Sequence, residues 1–126
     1  MGRVTYDQIP SFGVGWPYQG KQGIVVTSQP IPGKYPDVQG WHDGILSLAR
    51  HLRTEAVGDA WIVGGAKLQA AFVEAGELDH LDLFIVPILL GDGLPLFPRQ
   101  ERSRDLILRT SRTLDKGMVR LSYDIG

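Results

Sequence analysis

No cysteine occurs in these 126 residues. A disulfide framework and a thiolate metal site are thereby excluded, and a thiol-free chain fits a reducing compartment. Net charge is nearly absent as well. Thirteen Lys and Arg stand against 14 Asp and Glu, and the basic residues are scattered. Without a basic patch there is no electrostatic footprint for nucleic acid or an anionic membrane. Long apolar runs are missing. The longest, Leu83 to Leu90, is eight residues with Pro87 inside it, against about 20 for a spanning helix. No charged-then-apolar leader opens the chain. The expectation is a soluble cytoplasmic protein with neither nucleic acid nor membrane as partner. Histidine is scarce: His42, His51 and His80 have neither metal-ligand spacing nor a paired-carboxylate motif. They are read as rim residues, and no metal is expected. Glu77/Asp79 and Asp79/Asp82 are read as solvated carboxylates rather than acid–base dyads.

What is present is a core. Forty-three per cent of the residues are hydrophobic, enough for one domain over residues 1–126. Thr5 to Ile9 reads as a short helix or turn. Pro10 to Gly20 is a loop whose Trp16 and Tyr18 are expected to cover core. Gly23 to Ser28 is a β-branched strand stopped by Gln29-Pro30. Val38 to Trp41 is a short edge strand. Asp43 is read as an N-cap, followed by a helix with Ile45, Leu48, Ala49, Leu52 and Ala56 on one face, closed by Gly58. Ala60 to Val63 reads as a strand. Leu68, Ala71, Phe72 and Ala75 then mark a helix with Gly76 at the C′ position. Leu81 to Val86, apolar on both faces apart from Asp82, suits an interior strand. After a Gly/Pro loop from Pro87 to Pro98, Leu106–Leu114 and Met118–Ile125 form a hairpin around Asp115-Lys116-Gly117. In its last strand Arg120, Ser122 and Asp124 alternate with apolar residues, so one face is wet. Helices between strands demand parallel crossovers. The fold class is therefore α/β: a mostly parallel sheet, flanking helices and a C-terminal antiparallel hairpin.

The organising stretch is Ala60-Trp61-Ile62-Val63-Gly64-Gly65-Ala66-Lys67-Leu68. An apolar run ends on two glycines and a helix begins at once. Such a corner presents unpaired N–H groups at the positive end of a helix dipole. Glycine lets a bulky anion approach that backbone. It reads as a seat for the pyrophosphate of a dinucleotide; a plain strand-to-helix turn suits the same residues.

Several segments resemble one family. They are Met1-Gly2-Arg3-Val4-Thr5-Tyr6, Val26-Thr27-Ser28, Trp61 to Ala66, and Leu83-Phe84-Ile85-Val86-Pro87-Ile88-Leu89-Leu90-Gly91-Asp92-Gly93 with Leu96-Phe97. The terminal Gly117 to Tyr123 is typical too. The chain is similar to the dihydrofolate reductase-like superfamily, and within it to the C-terminal reductase domain of the bifunctional riboflavin-biosynthesis deaminase/reductase. The resemblance implies a three-layer sandwich and an NADPH-dependent reductase of a pterin- or pyrimidine-type heterocycle. The model activity is reduction of the ribosylamino-pyrimidine phosphate. It implies Gly2, Arg3 and Thr5 as phosphate contacts, and Thr27 and Ser28 near the adenosine 2′-phosphate. Gly64, Gly65 and Ala66 would hold the pyrophosphate, with Ile62 and Val63 beside the nicotinamide. Pro87, Gly91 and Gly93 would lie on the substrate side. No catalytic acid or base maps onto the chain.

In the family a first strand, a mobile loop, a helix and a second strand precede the Met-Gly-Arg segment. Here that segment is residue 1. A late-assigned start, a deliberately shortened chain and a real short variant all remain open. The expected consequence is exposed strand edges and a homo-oligomer, such as a dimer. Dihydrofolate reduction and a non-catalytic nucleotide-binding or assembly module are the rival readings.

Overall fold

Three β-branched residues, Ile24, Val25 and Val26, make the first strand, β1 (Gly23–Val26). The computed structural model describes every residue from Met1 to Gly126. Ahead of β1 lie helix α1 (Arg3–Gln8) and a 3-10 turn (Ile9–Phe12). After it come β2 (Val38–Trp41), α2 (Ile45–Glu55), α3 (Ala66–Glu74), β3 (His80–Ile85), β4 (Leu106–Thr113) and β5 (Val119–Ile125).

β1 and β2 pair in parallel, Gly23 opposite Val38 through Val26 opposite Trp41. Alternation along β1 sends successive side chains to opposite faces. Val25, wholly buried, joins Tyr6, Ile9 and Trp16 on the α1 face. Ile24 and Val26 pack against Leu48, Ala49 and Phe72 from α2 and α3. The parallel pair is thus the middle of three layers. Trp16 lies against Tyr18 and Tyr35, with ring centroids 5.2 and 5.3 Å away, so these aromatics do cover core.

The second sheet is antiparallel, in the order β3-β5-β4. A register shift between Leu108 and Thr110 bulges β4. The β4–β5 turn is a 3-10 turn over Asp115–Gly117, with Lys116 at φ 61° and Gly117 at φ 77°.

Helix ends explain two departures from expectation. Asp43 is not an N-cap. Gly44 holds that position with no side-chain cap, and Asp43 only lends its carbonyl to Ser47 Oγ. α2 ends at Glu55, before Gly58. Gly76 does terminate α3, at φ 72°. Its amide donates to Val73 O, and that of Glu77 donates to Phe72 O, a pattern that satisfies the last carbonyls.

Three expected strands differ more. Ala60–Val63 is not a strand: none of its backbone groups joins a backbone hydrogen bond, because no partner strand lies alongside. β3 is not an interior strand but an edge one, paired only with β5. Phe84, Ile85 and Val86 are consequently about half exposed. β5, expected to be wet on one face, is half-buried throughout.

These open edges show in the surface. The chain exposes 9551 Å², whereas a folded monomer of this length exposes about 6,700 Å². The excess is larger than one partner's share of a standard protein interface, about 800 Å². Unpaired strand edges beside apolar side chains template further pairing. Residues 1–126 expressed on their own should therefore self-associate. Sedimentation velocity should give dimers or larger species; a compact monomer that unfolds cooperatively would contradict this.

Candidate nucleotide-binding site

The site grows from a backbone junction. The amide of Gly2 donates to Gly64 O at 2.7 Å, and Met1 O accepts from the amide of Val26 at 2.9 Å. Residues 1–2 therefore lie between the end of β1 and the Gly64 corner, extending the parallel layer by one bridge. A methyl group at residue 2 would meet only ordinary contact there. A Cβ on Gly2 would lie 3.5 Å from the nitrogen of Gly65. Gly64 adopts φ 140°, a conformation that L side chains rarely take, and its peptide with Gly65 is cis.

Thr5 stands over this corner. Its Oγ1 is 3.5 Å from where a Gly64 Cβ would be, and 3.6 Å from that of Gly65. α3 starts at Ala66 with Gly65 at the N-cap and no side-chain cap. The amides of Gly64, Gly65, Ala66 and Lys67 donate to no backbone oxygen of the chain. Unspent amides at a helix start, a neighbouring hydroxyl and missing side chains make a cradle suited to an anion. That chemistry fits a diphosphate.

Next to it lie the carboxyl ends of β1 and β2, the side on which open α/β sheets take ligands. Thr27 is partly spent: its Oγ1 accepts the amide of Gln29 at 3.2 Å, a local turn. Ser28 is exposed. Arg3 Nε pairs with Asp7 at 2.9 Å, and its Nη1 donates to Pro30 O at 3.0 Å. The guanidinium thus borders the loop that follows Ser28. His42 Nδ1 sits 2.5 Å from Thr27 O. Ile62 and Val63 are half-buried, and Ile62 packs against the α2–α3 cluster. Trp61 is 80% exposed, its ring edge toward Tyr18.

The other half of the expected site stands apart. Pro87, Gly91 and Gly93 are exposed. Pro87 leans on the hairpin, its Cγ 3.4 Å from where a Gly117 Cβ would lie. Asp92 Oδ1 accepts the amide of Gly93 at 2.8 Å. No backbone hydrogen bond joins residues 87–93 to the Gly64 corner. A concavity at Arg99, Gln100 and Glu101 has no apolar wall, which a heterocycle site needs.

Reading the sequence missed a layer of paired charges. On one face of the second sheet, Asp82 accepts from Ser122 Oγ at 2.5 Å and from Arg120 Nη2 at 2.7 Å. His80 Nδ1 and Asp124 are 2.6 Å apart, with Arg109 at 3.4 Å. The signal available was the alternation of Arg120, Ser122 and Asp124; the partners on β3 lie about 40 residues away in sequence. Asp79 and Glu77, read as solvated, keep contact with water and also clamp Arg53, at 3.1 and 2.8 Å, holding its guanidinium more firmly protonated. None of these groups hydrogen-bonds to residues of the cradle, and no cluster of His and carboxylates has metal-site geometry.

The three layers, the parallel pair and the antiparallel C-terminal sheet define a dihydrofolate reductase-like sandwich. More narrowly, the chain belongs to the RibD C-terminal domain family, whose model matches residues 20–120. That span holds Gly64–Ala66 and the Pro87–Gly93 loop; Gly2, Arg3 and Thr5 precede it. The chain is 31% identical over 124 residues to YwjB, an uncharacterized protein of Bacillus subtilis (strain 168), covering 98% of this chain and 70% of YwjB. It is 34% identical over 82 residues to YyaP of the same organism, also uncharacterized, covering 65% of this chain and 44% of YyaP. Among solved structures, a Shewanella sp. PV-4 protein ascribed to riboflavin biosynthesis superposes with TM-score 0.87 at 27% identity. It covers all of this chain and 72% of that one. Acinetobacter baumannii RibD gives TM-score 0.65 at 22% identity, over 82% of this chain and 31% of its own. At that identity the likeness shows the fold alone. No helix is long and apolar enough to cross a membrane.

The Asp82 cluster carries a testable sign. Hydrogen bonds from Ser122 and then Arg120 pull its carboxyl below the ordinary value of 3.8. A depressed folded pKa gives stability that is present above the unfolded value and is lost as pH falls through the folded one. A carboxyl-carbon NMR titration should place Asp82 below the ordinary aspartate value. Ser122→Ala should move it upward; no movement would remove Ser122 as the leading cause.

Proposed function

We propose that this chain is the nucleotide-holding part of an NADPH-dependent reductase acting on a pyrimidine- or pterin-type heterocycle. The reduction of a ribosylamino-pyrimidine phosphate is the nearest model activity. The observation that carries this reading is the Gly64–Gly65 corner, with unspent amides beside Thr5. Membership of the RibD C-terminal domain family supports the reductase class.

The residues have distinct tasks under this reading. Gly64, itself buried, Gly65 and Ala66 receive the diphosphate on amides with no backbone partner in the chain, and Gly2 leaves room for it. The Thr5 hydroxyl adds a donor that no other group competes for. Arg3, Thr27 and Ser28 border the adenosine end, where charge and hydroxyls suit a 2′-phosphate. Ile62 and Val63 offer an apolar floor for the nicotinamide. When bound, the cofactor supplies the hydride; the protein orients it and excludes water. Pro87, Gly91 and Gly93 are assigned to the substrate side, with backbone rather than side chains meeting the substrate. The working protein is a homo-oligomer, in which the apolar edges of the second sheet are covered.

Nucleotide binding is the direct test, read by quenching of tryptophan fluorescence or by calorimetry. NADPH should bind the wild-type chain, and Gly64→Val should abolish binding, since a side chain at φ 140° would disrupt the cradle. Thr5→Val should weaken it by about tenfold, the worth of one hydrogen bond to a charged group. NADPH binding that survives Gly64→Val unchanged would move the site elsewhere.

A further inference from the structure

We infer that His42 reads the 2′ substituent of the adenosine ribose, donating from Nε2 to a 2′-phosphate when its ring is protonated. The inference rests on the reductase reading above and adds a residue that the reading lacks. β1 and β2 run parallel with Val26 opposite Trp41, so Thr27 and His42 come next at the carboxyl ends. There the ring is pinned. Its Nδ1 is 2.5 Å from Thr27 O, and a carbonyl oxygen only accepts, so Nδ1 is the nitrogen that carries the proton.

The rest of the ring lies over Gly40. A Cβ at residue 40 would be 3.1 Å from His42 Nε2 and 3.2 Å from Cε1. Glycine at 40 therefore leaves the space the ring occupies, and a side chain there would press it away from Thr27. Nε2 has no hydrogen-bond partner in the chain, while His42 is exposed. Both charge states keep the Nδ1 bond to Thr27. Only Nε2 changes: it accepts on the neutral ring, which suits a ribose hydroxyl, and donates on the charged ring, which suits phosphate. Ser28 follows Thr27 directly, and Arg3 reaches Pro30 O just beyond. Three dissimilar donors thus border the same strand ends.

The charged groups on the surrounding elements are few. Asp43 is next in the chain. On α1, Arg3 pairs with Asp7 at 2.9 Å. From α2, His51 stacks on Trp41, which alternation puts on the opposite face of β2, and Arg53 is held by Glu77 and Asp79. Asp37 precedes the far end of β2. A phosphate beside Nε2 favours the imidazolium, so the contribution of His42 to NADPH binding weakens as pH rises.

The test uses the full chain, labelled at histidine and titrated by NMR, free and with NADPH or NADH. His42→Gln identifies the signal and supplies an uncharged comparison. NADPH should move the His42 titration to higher pH, and NADH should leave it near that of the free chain. Near pH 6, His42→Gln should weaken NADPH binding by about tenfold, the size of a charge-assisted hydrogen bond, and NADH binding by less than about twofold. NADPH binding with the His42 titration unmoved, or a variant that loses both nucleotides equally, overturns the inference and leaves the reductase reading standing. Binding of neither nucleotide to the wild-type chain overturns both.

Discussion

Two residues of backbone join the layers of this molecule. Met1 bonds to β1 through Val26, and Gly2 bonds to the Gly64 corner. Backbone groups away from water must be paired, and here one short segment pairs with β1 and with the α3 entry together. Backbone conformation demands glycine at one of these positions, Gly64 with φ 140°. Gly2 faces the backbone of Gly64 and Gly65, and Gly64 and Gly65 face Thr5. The anion cradle is the remainder of that arrangement: carbonyls spent on the junction, amides left over, side chains absent.

Local signals were readable wherever a short stretch settles its own conformation. β1 followed from three β-branched residues, α2 from helical spacing, the α3 end from Gly76 and the hairpin from Asp115-Lys116-Gly117. The corner at Gly64 was readable because its chemistry is consecutive in sequence. What could not be read was pairing. Ala60–Val63 has the composition of a strand but has no neighbour to bond to, so composition alone misled. Leu81–Val86 looks interior because both its faces are apolar, yet it is an edge strand in this sheet. Asp43 failed as a cap because Gly44 took the position.

The candidate site divides along the same line. Gly2, Thr5, Gly64 and Gly65 come together, as do the strand ends carrying Thr27, Ser28 and His42. The loop of Pro87, Gly91 and Gly93 stands against the hairpin instead, with Pro87 at Gly117. His42 was read only as a rim residue because a lone histidine carries no pattern. Its meaning comes from a carbonyl 15 residues away and from an empty space at Gly40, neither of which is written locally.

The second sheet has little buried apolar area to hold it, yet β3 keeps one register with β5 over its full length, and β4 does so on either side of its bulge. The ionic face described above supplies a reason. Asp82 stands opposite Ser122, and His80 stands opposite Asp124. Sliding β3 by a single residue would bring Leu83 in front of Ser122 and turn Asp82 and His80 toward the greasy side, away from Ser122 and Asp124. The charges work as a ratchet tooth: modest in strength, but able to tell one alignment of the strands from the next.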